Sequence, residues 1–417
     1  MIGCTLRRLS TVAEGANDRD YTIVVGAGQA GLAVSHELMQ EGVEHVVLER
    51  DRIGEGWRKR WNSFCLVTPN WSVRLPGHPY DRDDPDGFMP RDEIVAYLER
   101  YAASFSAPVH EGVRITQLAS KEGDGFVVGT NDGDYRAKSL VLATGAFQRP
   151  HRPAKADTLP ANLLQIDSGD YTSPSELPPG DVLIIGSGQT GCQLAEELHV
   201  AGRRVVLACG RAPWLPRRIG DHDLVWWLLE SEFLDARSET LPQEARLLAN
   251  IIATGHDGGH DLSLRILGAL GVTLTGRFLG TANGRAQFGP DLADSVAWGD
   301  ARYEQLMEIV PPVVEKHGLT KPDIASPEPF DATAPDDVDL ASFGTVLFTG
   351  GFRPDFRSWL PWTDAFDDQG FPIQRDGAST VVDSLYFVGS HFLRKRKSSL
   401  LIGVGEDAQI VARALAN

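Results

Sequence analysis

Two glycine-rich turns of one pattern are the part of this chain whose residue spacing most clearly predicts chemistry. Residues 26–31 read GAGQAG and residues 186–191 read GSGQTG. In such a turn the first glycine permits a tight bend, the second lets the backbone approach a pyrophosphate, and the third lets a helix pack closely on a strand. The free N–H groups at the start of that helix hold the phosphate oxygens. The chain is therefore predicted to bind two dinucleotides.

The segments around the first turn have the patterns that such a site requires. The apolar, β-branched run at 21–26 predicts a buried parallel strand, and the pattern after it predicts a helix over 29–40. A second strand is predicted over 45–48. Glu49 ends that strand, where a carboxylate can accept hydrogen bonds from ribose hydroxyls. The residues assigned to this first site are Gly26, Gly28, Gln29, Ala30, Gly31, Glu49 and Arg50.

The second turn has the same surroundings but a different residue at the end of its second strand. A strand is predicted over 181–186, a helix to about Val200, and the next strand from Arg204 to Leu207. The chain then runs into Arg211, with no acid at the position that matches Glu49. A carboxylate would repel a 2′-phosphate, whereas an arginine can hold one, so this site favours NADPH. The residues assigned to it are Gly186, Gly188, Gln189, Thr190, Gly191 and Arg211, with Arg217 or Arg218 as helpers; solvated surface arginines are the alternative.

Three further strands end in glycine, over 139–145, 345–350 and 384–389. Such strand ends carry the chain from one domain past a nucleotide site of another. They predict an α/β fold of two Rossmann-like domains, in which an NADPH-binding domain with a helical insertion (153–340) interrupts a discontinuous FAD-binding domain (21–152 and 341–417). Residues 1–20 are predicted to be a flexible extension. The strand-end residues assigned to cofactor binding are Thr144, Gly145, Gly350 and Gly389.

The C-terminal segment favours FAD at the first turn. Gly403 and Gly405 precede a helix predicted over 406–415, and both glycines would permit close approach of backbone to a flat ring. The N-terminus of that helix would stabilise negative charge on a reduced flavin.

Composition narrows the functional class. The net charge of −17 argues against a nucleic-acid partner. The four cysteines lie far apart, without the pair that a disulfide reductase needs and without a metal-binding pattern. There is no apolar run of membrane-spanning length and no apolar signal segment after Arg7 and Arg8, so we expect a cytoplasmic protein. The oligomeric state stays open, a homodimer included.

At this point the sequence resembles the class B two-dinucleotide flavin monooxygenases, and within them the YUCCA-like and bacterial branch. The resemblance covers most of residues 20–417 and rests on both turns, on GWRKRW at 56–61, on LVTP at 66–69 with LPG at 75–77, and on GVGEDA at 403–408. It implies that NADPH reduces FAD and that O2 is captured as a flavin C4a-(hydro)peroxide, which oxygenates a small organic substrate.

One departure from the family pattern keeps an alternative open. Asp167 stands where the family's linker has a histidine, and the Phe-Gly that begins the linker is missing from 159–171, although Tyr171 fits its aromatic position. The alternative is an NADPH oxidase or an electron-transfer reductase that does not oxygenate a substrate.

The segment after the first dinucleotide unit supplies the candidates near the flavin. Trp57 and Trp61 are assigned to cofactor binding, and the catalytic candidates are Arg58, Thr68 and Asn70. An asparagine hydrogen-bonds the flavin or its peroxide in some relatives, which the resemblance carries to Asn70, but Thr68 fits as well. Ordinary loop packing is the alternative for all of them.

Four other segments are interpreted without a committed role in chemistry. Trp226 and Trp227 predict a buried helix, either a lid over the nicotinamide cleft or plain core. Residues 255–261 predict a turn and not a metal site, because their glycines break any helix that would align the two histidines. His391 and the basic run at 394–397 lie just upstream of the proposed flavin-end loop. They are either solvated surface or attract an anionic substrate or the NADPH phosphates, and 321–338 predicts a connecting loop.

Overall fold

The computed structural model describes residues 21–121, 125–248 and 250–417, so the predicted extension at 1–20 lies outside the described residues. The α-helices are α1 (Gln29–Gln40), α2 (Glu55–Arg58), α3 (Arg91–Ser104), α4 (Gln189–Val200), α5 (Leu224–Glu230), α6 (Leu264–Leu270), α7 (Leu292–Met307), α8 (Val310–His317) and α9 (Val404–Ala416). None of these is long and apolar enough to cross a membrane.

The first sheet has a parallel centre around the first glycine turn. Its parallel strands, in spatial order, are Leu385–Phe387, Gly133–Leu142, Tyr21–Val25, His45–Leu48 and Val109–His110. Antiparallel strands extend it: Gln374–Arg375 and Ala378–Ser379 at one edge, and Ile115–Ser120 with Phe126–Thr130 against the long strand 133–142. The strand–helix–strand unit predicted over 21–48 is confirmed. The antiparallel additions were not predicted.

The second sheet is wholly parallel and surrounds the second glycine turn. Its strands, in spatial order, are Leu164–Asp167, Phe343–Phe348, Asp181–Ile185, Val205–Ala208 and Thr273–Thr275. The unit predicted over 181–207 is confirmed. Smaller antiparallel pieces flank this sheet: Phe278–Ala282, Arg285–Phe288 and Asp337–Asp339 form one, and Arg218–Ile219 pairs with His222–Asp223.

The order of the strands along the chain gives an α/β fold with one sheet interrupted by the other. Every strand of the second sheet lies between 142 and 374, the nearest strand ends of the first sheet. The predicted return to the first domain at 341 is placed too early, because Phe343–Phe348 lies inside the second sheet, between two of its strands. The chain crosses at a short antiparallel pair, Arg149–Pro150 with Phe352–Arg353.

Both faces of the first sheet are covered, which is why its central strands are almost continuously apolar. On one face Val24, Val47 and Val141 join a buried cluster with α1, α3 and α9. On the other face Ile23 and Leu140 pack with the antiparallel strands and with the segment that contains Phe356 and Phe366. The first of these clusters packs α1 and α9 against the sheet that carries the first glycine turn.

The remaining predictions of local structure have mixed outcomes. The turn predicted over 255–261 contains a single 3-10 turn, His256–Gly258. The buried helix predicted at Trp226 and Trp227 is α5, in which the Trp227 side chain is fully buried. The last helix begins at Val404, two residues earlier than predicted, and the connecting loop over 321–338 ends in the short strand Asp337–Asp339.

We expect Gly31→Ala to destabilise the protein by at least about 2 kcal/mol, as an overpacked core position does. A Cβ at Gly31 would lie 1.7 Å from the Gly26 carbonyl oxygen, so the backbone of α1 has to move. Denaturant unfolding of the cofactor-free protein checks this. Gly28→Ala is the matched control, because a Cβ there meets nothing within 4 Å. Equal stability of the two variants would contradict the packing described here.

Candidate active site

The first glycine turn combines close backbone packing with open space at one position. Gly26 has a φ of +103°, and a Cβ on it would lie 2.8 Å from the Ala143 carbonyl oxygen. At Gly28, the N-cap of α1, an added Cβ would meet no atom within 4 Å. The free N–H groups of a helix N-terminus thus lie beside an open backbone position, which fits a pyrophosphate.

Glu49 is buried at the end of its strand and fixes the shape of this turn. Its Oε2 accepts a hydrogen bond from the Ala27 N–H at 2.8 Å, and its Oε1 accepts one from the Asp51 N–H at 2.9 Å. Each carboxylate oxygen can accept a second hydrogen bond, so Glu49 still fits the ribose role predicted for it. The neighbouring Arg50 is mostly exposed and pairs with Asp51 at 3.3 Å.

Gln29 connects the first turn to two distant segments. Its Nε2 donates to the Ser399 carbonyl at 3.2 Å, and its Oε1 accepts from the Trp57 indole N–H at 2.9 Å. The GWRKRW motif and the C-terminal loop are therefore both held against the start of α1. Of the motif's two tryptophans, Trp57 lies near the first turn.

The C-terminal glycines are packed against protein and not open to a ring. A Cβ at Gly403 would lie 2.3 Å from the Lys397 carbonyl oxygen, and one at Gly405, already inside α9, would lie 3.0 Å from the Pro76 side chain. The expectation that Gly403 and Gly405 leave room for a flat ring is therefore corrected: their small size serves the packing of the chain on itself. Gly389 (φ +76°) does lie at the first turn, because its Cβ would stand 2.4 Å from the Ala30 Cβ.

A cavity of about 310 Å³ brings the second turn together with the glycine strand ends, and we call it the nucleotide cavity. Its wall contains most of the predicted second-site residues and several predicted strand-end residues: Gly145, Gly186, Gly188, Gln189, Thr190, Arg211 and Gly350. Ser390 and His391, which directly follow Gly389, complete it on the side of the first sheet.

Two predicted residues support this wall from just outside it. Gly191 packs against the turn itself, since a Cβ there would lie 1.9 Å from the Gly186 carbonyl oxygen. Thr144 precedes the wall residue Gly145, and its hydroxyl accepts a hydrogen bond from the Gln148 side chain at 2.9 Å. Thr349, which was not predicted, donates from its hydroxyl to the Gly186 carbonyl at 2.6 Å. The strand end at 345–350 is thereby tied to the second turn.

The two arginines predicted for the second site have different environments. Arg211 is exposed in the wall of the nucleotide cavity, and within the described part of the chain it has no ion pair. Arg217 is only 3% exposed, and its guanidinium binds both carboxylate oxygens of Asp223 at 2.5–2.8 Å. It also donates to the Val67 carbonyl at 2.9 Å. The assignment of Arg217 to a cofactor is therefore corrected, because its donors are used inside the protein.

Two of the three catalytic candidates, Asn70 and Arg58, hydrogen-bond to other protein groups. The Asn70 amide is buried, accepting from the Met89 N–H at 2.7 Å and donating to the Asp84 carbonyl at 2.9 Å, so it shapes the loop over 84–89. Arg58 donates to the Glu99 carboxylate at 2.7 Å and joins α2 to α3. Their assignment to catalysis is corrected accordingly. Thr68 is half-buried and does not line the nucleotide cavity.

The other end of the GWRKRW motif reaches the second sheet. Trp61 is buried in the core that contains Tyr171 and the apolar face of α4, so its assignment to a cofactor is corrected to a packing role. The Arg60 guanidinium lies 4.8 Å from the ring centre of Phe147, a wall residue of the cavity, and its buried Nε has no hydrogen-bond partner. Burial lowers the pKa of Arg60 to about 10.

His391 is a wall residue that the sequence pattern groups with the basic run at 394–397, without a role of its own. Its imidazole lies 4.3 Å, centre to centre, from the Phe392 ring and makes no hydrogen bond to any described residue. Burial lowers the pKa of His391 to about 4, so the imidazole is neutral at pH 7. Its position just after the strand end at Gly389 is a further sequence signal that agrees with its place in the wall.

The basic run at 394–397 is not a solvated face. Lys395 and Lys397 each form ion pairs with Asp235 and with Glu406, at 2.5–2.9 Å. Asp235 belongs to the segment after α5, and Glu406 lies in the first turn of α9. The two lysines therefore join these elements, and Arg394 adds a pair with the buried Asp407 at 2.8 Å. These cations are neutralised inside the protein, which also argues against their attracting an anion.

The turn at 255–261 and helix α5 both lie outside the wall of the nucleotide cavity. No group of three or more metal-binding side chains occurs in the part of the chain that the structure describes, and His260 instead pairs with Glu196 at 2.8 Å. Helix α5 packs in a core with Tyr303 and α8 and does not line the nucleotide cavity. The wall of the cavity contains Arg246, Leu247 and Leu248, which follow α5 in the chain.

Comparison with known proteins agrees with this arrangement. The family described as pyridine nucleotide-disulphide oxidoreductase matches residues 23–228. An uncharacterized CzcO-like oxidoreductase of Geobacillus kaustophilus is 30% identical over 400 residues, which are 95% of this chain and 98% of that protein. The probable indole-3-pyruvate monooxygenase YUCCA3 of Arabidopsis thaliana is 25% identical, over 95% of this chain and 86% of its own. The structure of a flavin-containing monooxygenase from Stenotrophomonas maltophilia superposes with a TM-score of 0.66 at 20% identity, covering 95% of this chain and 98% of that one.

Two Rossmann-like units around paired glycine turns define a flavoprotein oxidoreductase of the two-dinucleotide class. Within that class, the chain belongs to the same family as the CzcO-like oxidoreductases. Flavin monooxygenases and pyridine nucleotide oxidoreductases use a flavin and NADP(H).

We expect Arg211→Ala to raise the KM for NADPH about ten- to hundredfold and to leave the KM for NADH unchanged, since one charge-assisted hydrogen bond is lost. Arg217→Met is the matched control. It should lower Tm, because removing one partner of a buried ion pair costs about 3–5 kcal/mol, while the NADPH to NADH preference stays as in wild type. Steady-state kinetics with both nucleotides and thermal unfolding check the pair. The assignment of Arg211 to the 2′-phosphate would be contradicted if Arg217→Met lost the preference for NADPH over NADH and Arg211→Ala kept it.

We expect His391 to make the stability of the protein sensitive to mild acid. Its folded-state pKa of about 4 lies below the unfolded value of 6.5, so its stabilising contribution is complete above pH 6.5 and is lost as the pH falls toward 4. The Tm of wild type should therefore fall more than the Tm of His391→Gln between pH 7 and pH 5. The other histidines are the same in both proteins and cancel in the comparison. Parallel Tm profiles would show that His391 is not desolvated.

Proposed function

We propose that this protein is an FAD-dependent monooxygenase that uses NADPH and O2 to oxygenate a small organic substrate. The observation that carries the proposal is the nucleotide cavity, where the second turn and the unpaired Arg211 face Ser390 and His391 of the first sheet. A reduced nicotinamide held by one turn would thus lie beside a flavin held by the other. We also propose that the FAD-binding unit comprises 21–148 and 352–417, with the NADPH-binding unit between them, so that Phe343–Phe348 stays in its own sheet.

The residues of the first turn fit FAD. The N-terminus of α1 and the open position at Gly28 would hold the pyrophosphate, and Glu49 would hold the ribose through its remaining lone pairs. When bound, FAD would accept a hydride from the nicotinamide and react with O2. The protein's part is to bind, to orient and to exclude water, for which the cavity wall has Phe147, Phe352 and Phe356.

The residues of the second turn support NADPH as the reductant. Arg211 has no ion pair among the described residues, and it follows two residues after Cys209, the position that matches Glu49 of the first turn. A 2′-phosphate would supply the missing negative charge. The Arg60 guanidinium lies over the Phe147 ring of the cavity wall, its Nε has no hydrogen-bond partner among the described residues, and it adds a second positive charge near the cavity.

Thiol chemistry is not favoured by the cysteines that the structure describes. Cys65, Cys192 and Cys209 are free, and burial raises the pKa of Cys65 to about 11 and that of Cys209 to about 12. These thiols are therefore protonated at pH 7, whereas the attacking species in disulfide exchange is the thiolate. This supports a flavin enzyme whose electrons go to oxygen or to an external acceptor.

The experiment that tests the proposal is a balance of NADPH, O2 and H2O2 during turnover. Purified FAD-loaded enzyme should consume NADPH and O2 in equal amounts, and H2O2 per NADPH should fall when a thioether, an amine or a ketone serves as substrate. Gly28→Ala, which has no room for the pyrophosphate, is the control for reaction without bound FAD. Stoichiometric H2O2 with every substrate class would contradict oxygenation and identify an NADPH oxidase. Faster reduction of a dye than of O2 would identify an electron-transfer reductase.

A further inference from the structure

A second cavity of about 290 Å³ adjoins the nucleotide cavity, and we call it the side chamber. The two share Arg246, Phe371 and His391 in their walls. The rest of the side chamber comes from segments 238–242, 371–374 and 391–393. Its volume is near the lower end of the range of about 300–1,000 Å³ that small-molecule sites occupy.

The polar but uncharged side chains of this chamber are already satisfied by protein. The Ser238 hydroxyl donates to the Phe392 carbonyl at 2.5 Å. The Gln374 amide donates to the Leu393 carbonyl at 2.6 Å and accepts from the Gly377 N–H at 2.8 Å. These groups hold the three wall segments together, and a ligand would have to compete with the protein to use them.

The charged side chains of the chamber are likewise compensated. Arg246 pairs with Asp367 at 2.8 Å and lies 4.3 Å from the centre of the Phe371 ring. Glu239 pairs with Arg237 at 2.7 Å. An anionic or cationic ligand would therefore lose its hydration without meeting a free opposite charge, which is unfavourable.

His391 is the exception among these wall residues. Its ring nitrogens bind none of the described residues, and the neutral imidazole offers one donor and one acceptor. Around it, Leu241, Phe371, Phe392 and Leu393 present apolar surface. The chamber thus combines an apolar wall with one available neutral hydrogen-bonding group.

We propose that the side chamber binds the substrate, and that this substrate is a small, uncharged and largely apolar molecule whose polar atom is hydrogen-bonded by His391. This inference rests on the proposed monooxygenase function. It places the substrate beside the strand end at Gly389, which packs on the first glycine turn, and so beside the proposed flavin. An uncharged ketone, thioether or unprotonated amine has the required chemistry.

The test is ligand-observed NMR titration of oxidised, FAD-loaded enzyme with four probes of similar size. Acetophenone is neutral with one acceptor, benzoate and benzylammonium are its charged counterparts, and ethylbenzene has no acceptor. We expect acetophenone to bind at least tenfold more tightly than either ion. Equal or tighter binding of an ion would overturn the proposal. Neither NADPH nor turnover is needed, so the result can be read even if oxygenation is not observed.

Variants assign the binding to the side chamber. His391→Phe should weaken the binding of acetophenone three- to tenfold, as the loss of one neutral hydrogen bond does, and should change the affinity for ethylbenzene less than twofold. Leu241→Trp should weaken the binding of both probes, because the larger side chain fills the chamber. His256→Phe, at a residue outside both cavities, is the matched control and should bind as wild type does. Thermal unfolding confirms that each variant is folded, and wild-type affinity in folded Leu241→Trp would overturn the proposal.

Discussion

The close contact between a glycine-rich turn and a neighbouring strand end is the constraint on which the rest of this structure depends. At the first turn, Gly31 lies against the Gly26 carbonyl, and Gly26 lies against Ala143. At the second, Gly191 lies against Gly186, and Gly186 lies against Thr349. Each contact leaves no room for a side chain. Each therefore fixes a helix N-terminus, with its free N–H groups, directly above the ends of a parallel sheet.

Longer connections then join the two sheets beside the nucleotide cavity. Gln29 binds both Trp57 and Ser399, while Trp61, four residues further along the same motif, is buried in the core of the second sheet. A few residues before Ser399, Lys395 and Lys397 bind Asp235 and Glu406. These ion pairs are partly buried, so they are screened less by salt than surface pairs are. A motif and a basic run that are distant in sequence thus connect the same two units.

Much of the fold could be predicted from sequence because its signals are local. The strands and helices around both turns follow from apolar runs, glycine spacing and helix stops within about 30 residues, as in any unit of this kind. The antiparallel strands over 115–130 were missed, although they pair with strand 133–142 as consecutive hairpins. The domain boundary at 341 was misplaced because a strand's pattern does not say which of two sheets it joins.

The candidate site was less predictable, because the role of a polar side chain depends on its partner. Arg211 and Arg217 are both basic candidates in the sequence, but Asp223 takes the donors of Arg217 alone. Asn70 similarly fits a catalytic amide by residue type, but its amide is bound to Asp84 and Met89. His391 is grouped in sequence with the basic run, whereas its importance comes from the two cavities that meet at its ring.

The central claim is that a nicotinamide at the second turn can reduce a flavin at the first across the nucleotide cavity. The most direct measurement is anaerobic stopped-flow mixing of FAD-loaded enzyme with NADPH, followed by the flavin absorbance. We expect the flavin to bleach within one turnover, more slowly when the transferred hydrogen of NADPH is replaced by deuterium. Enzyme that binds both FAD and NADPH and yet keeps its flavin oxidised would contradict the account.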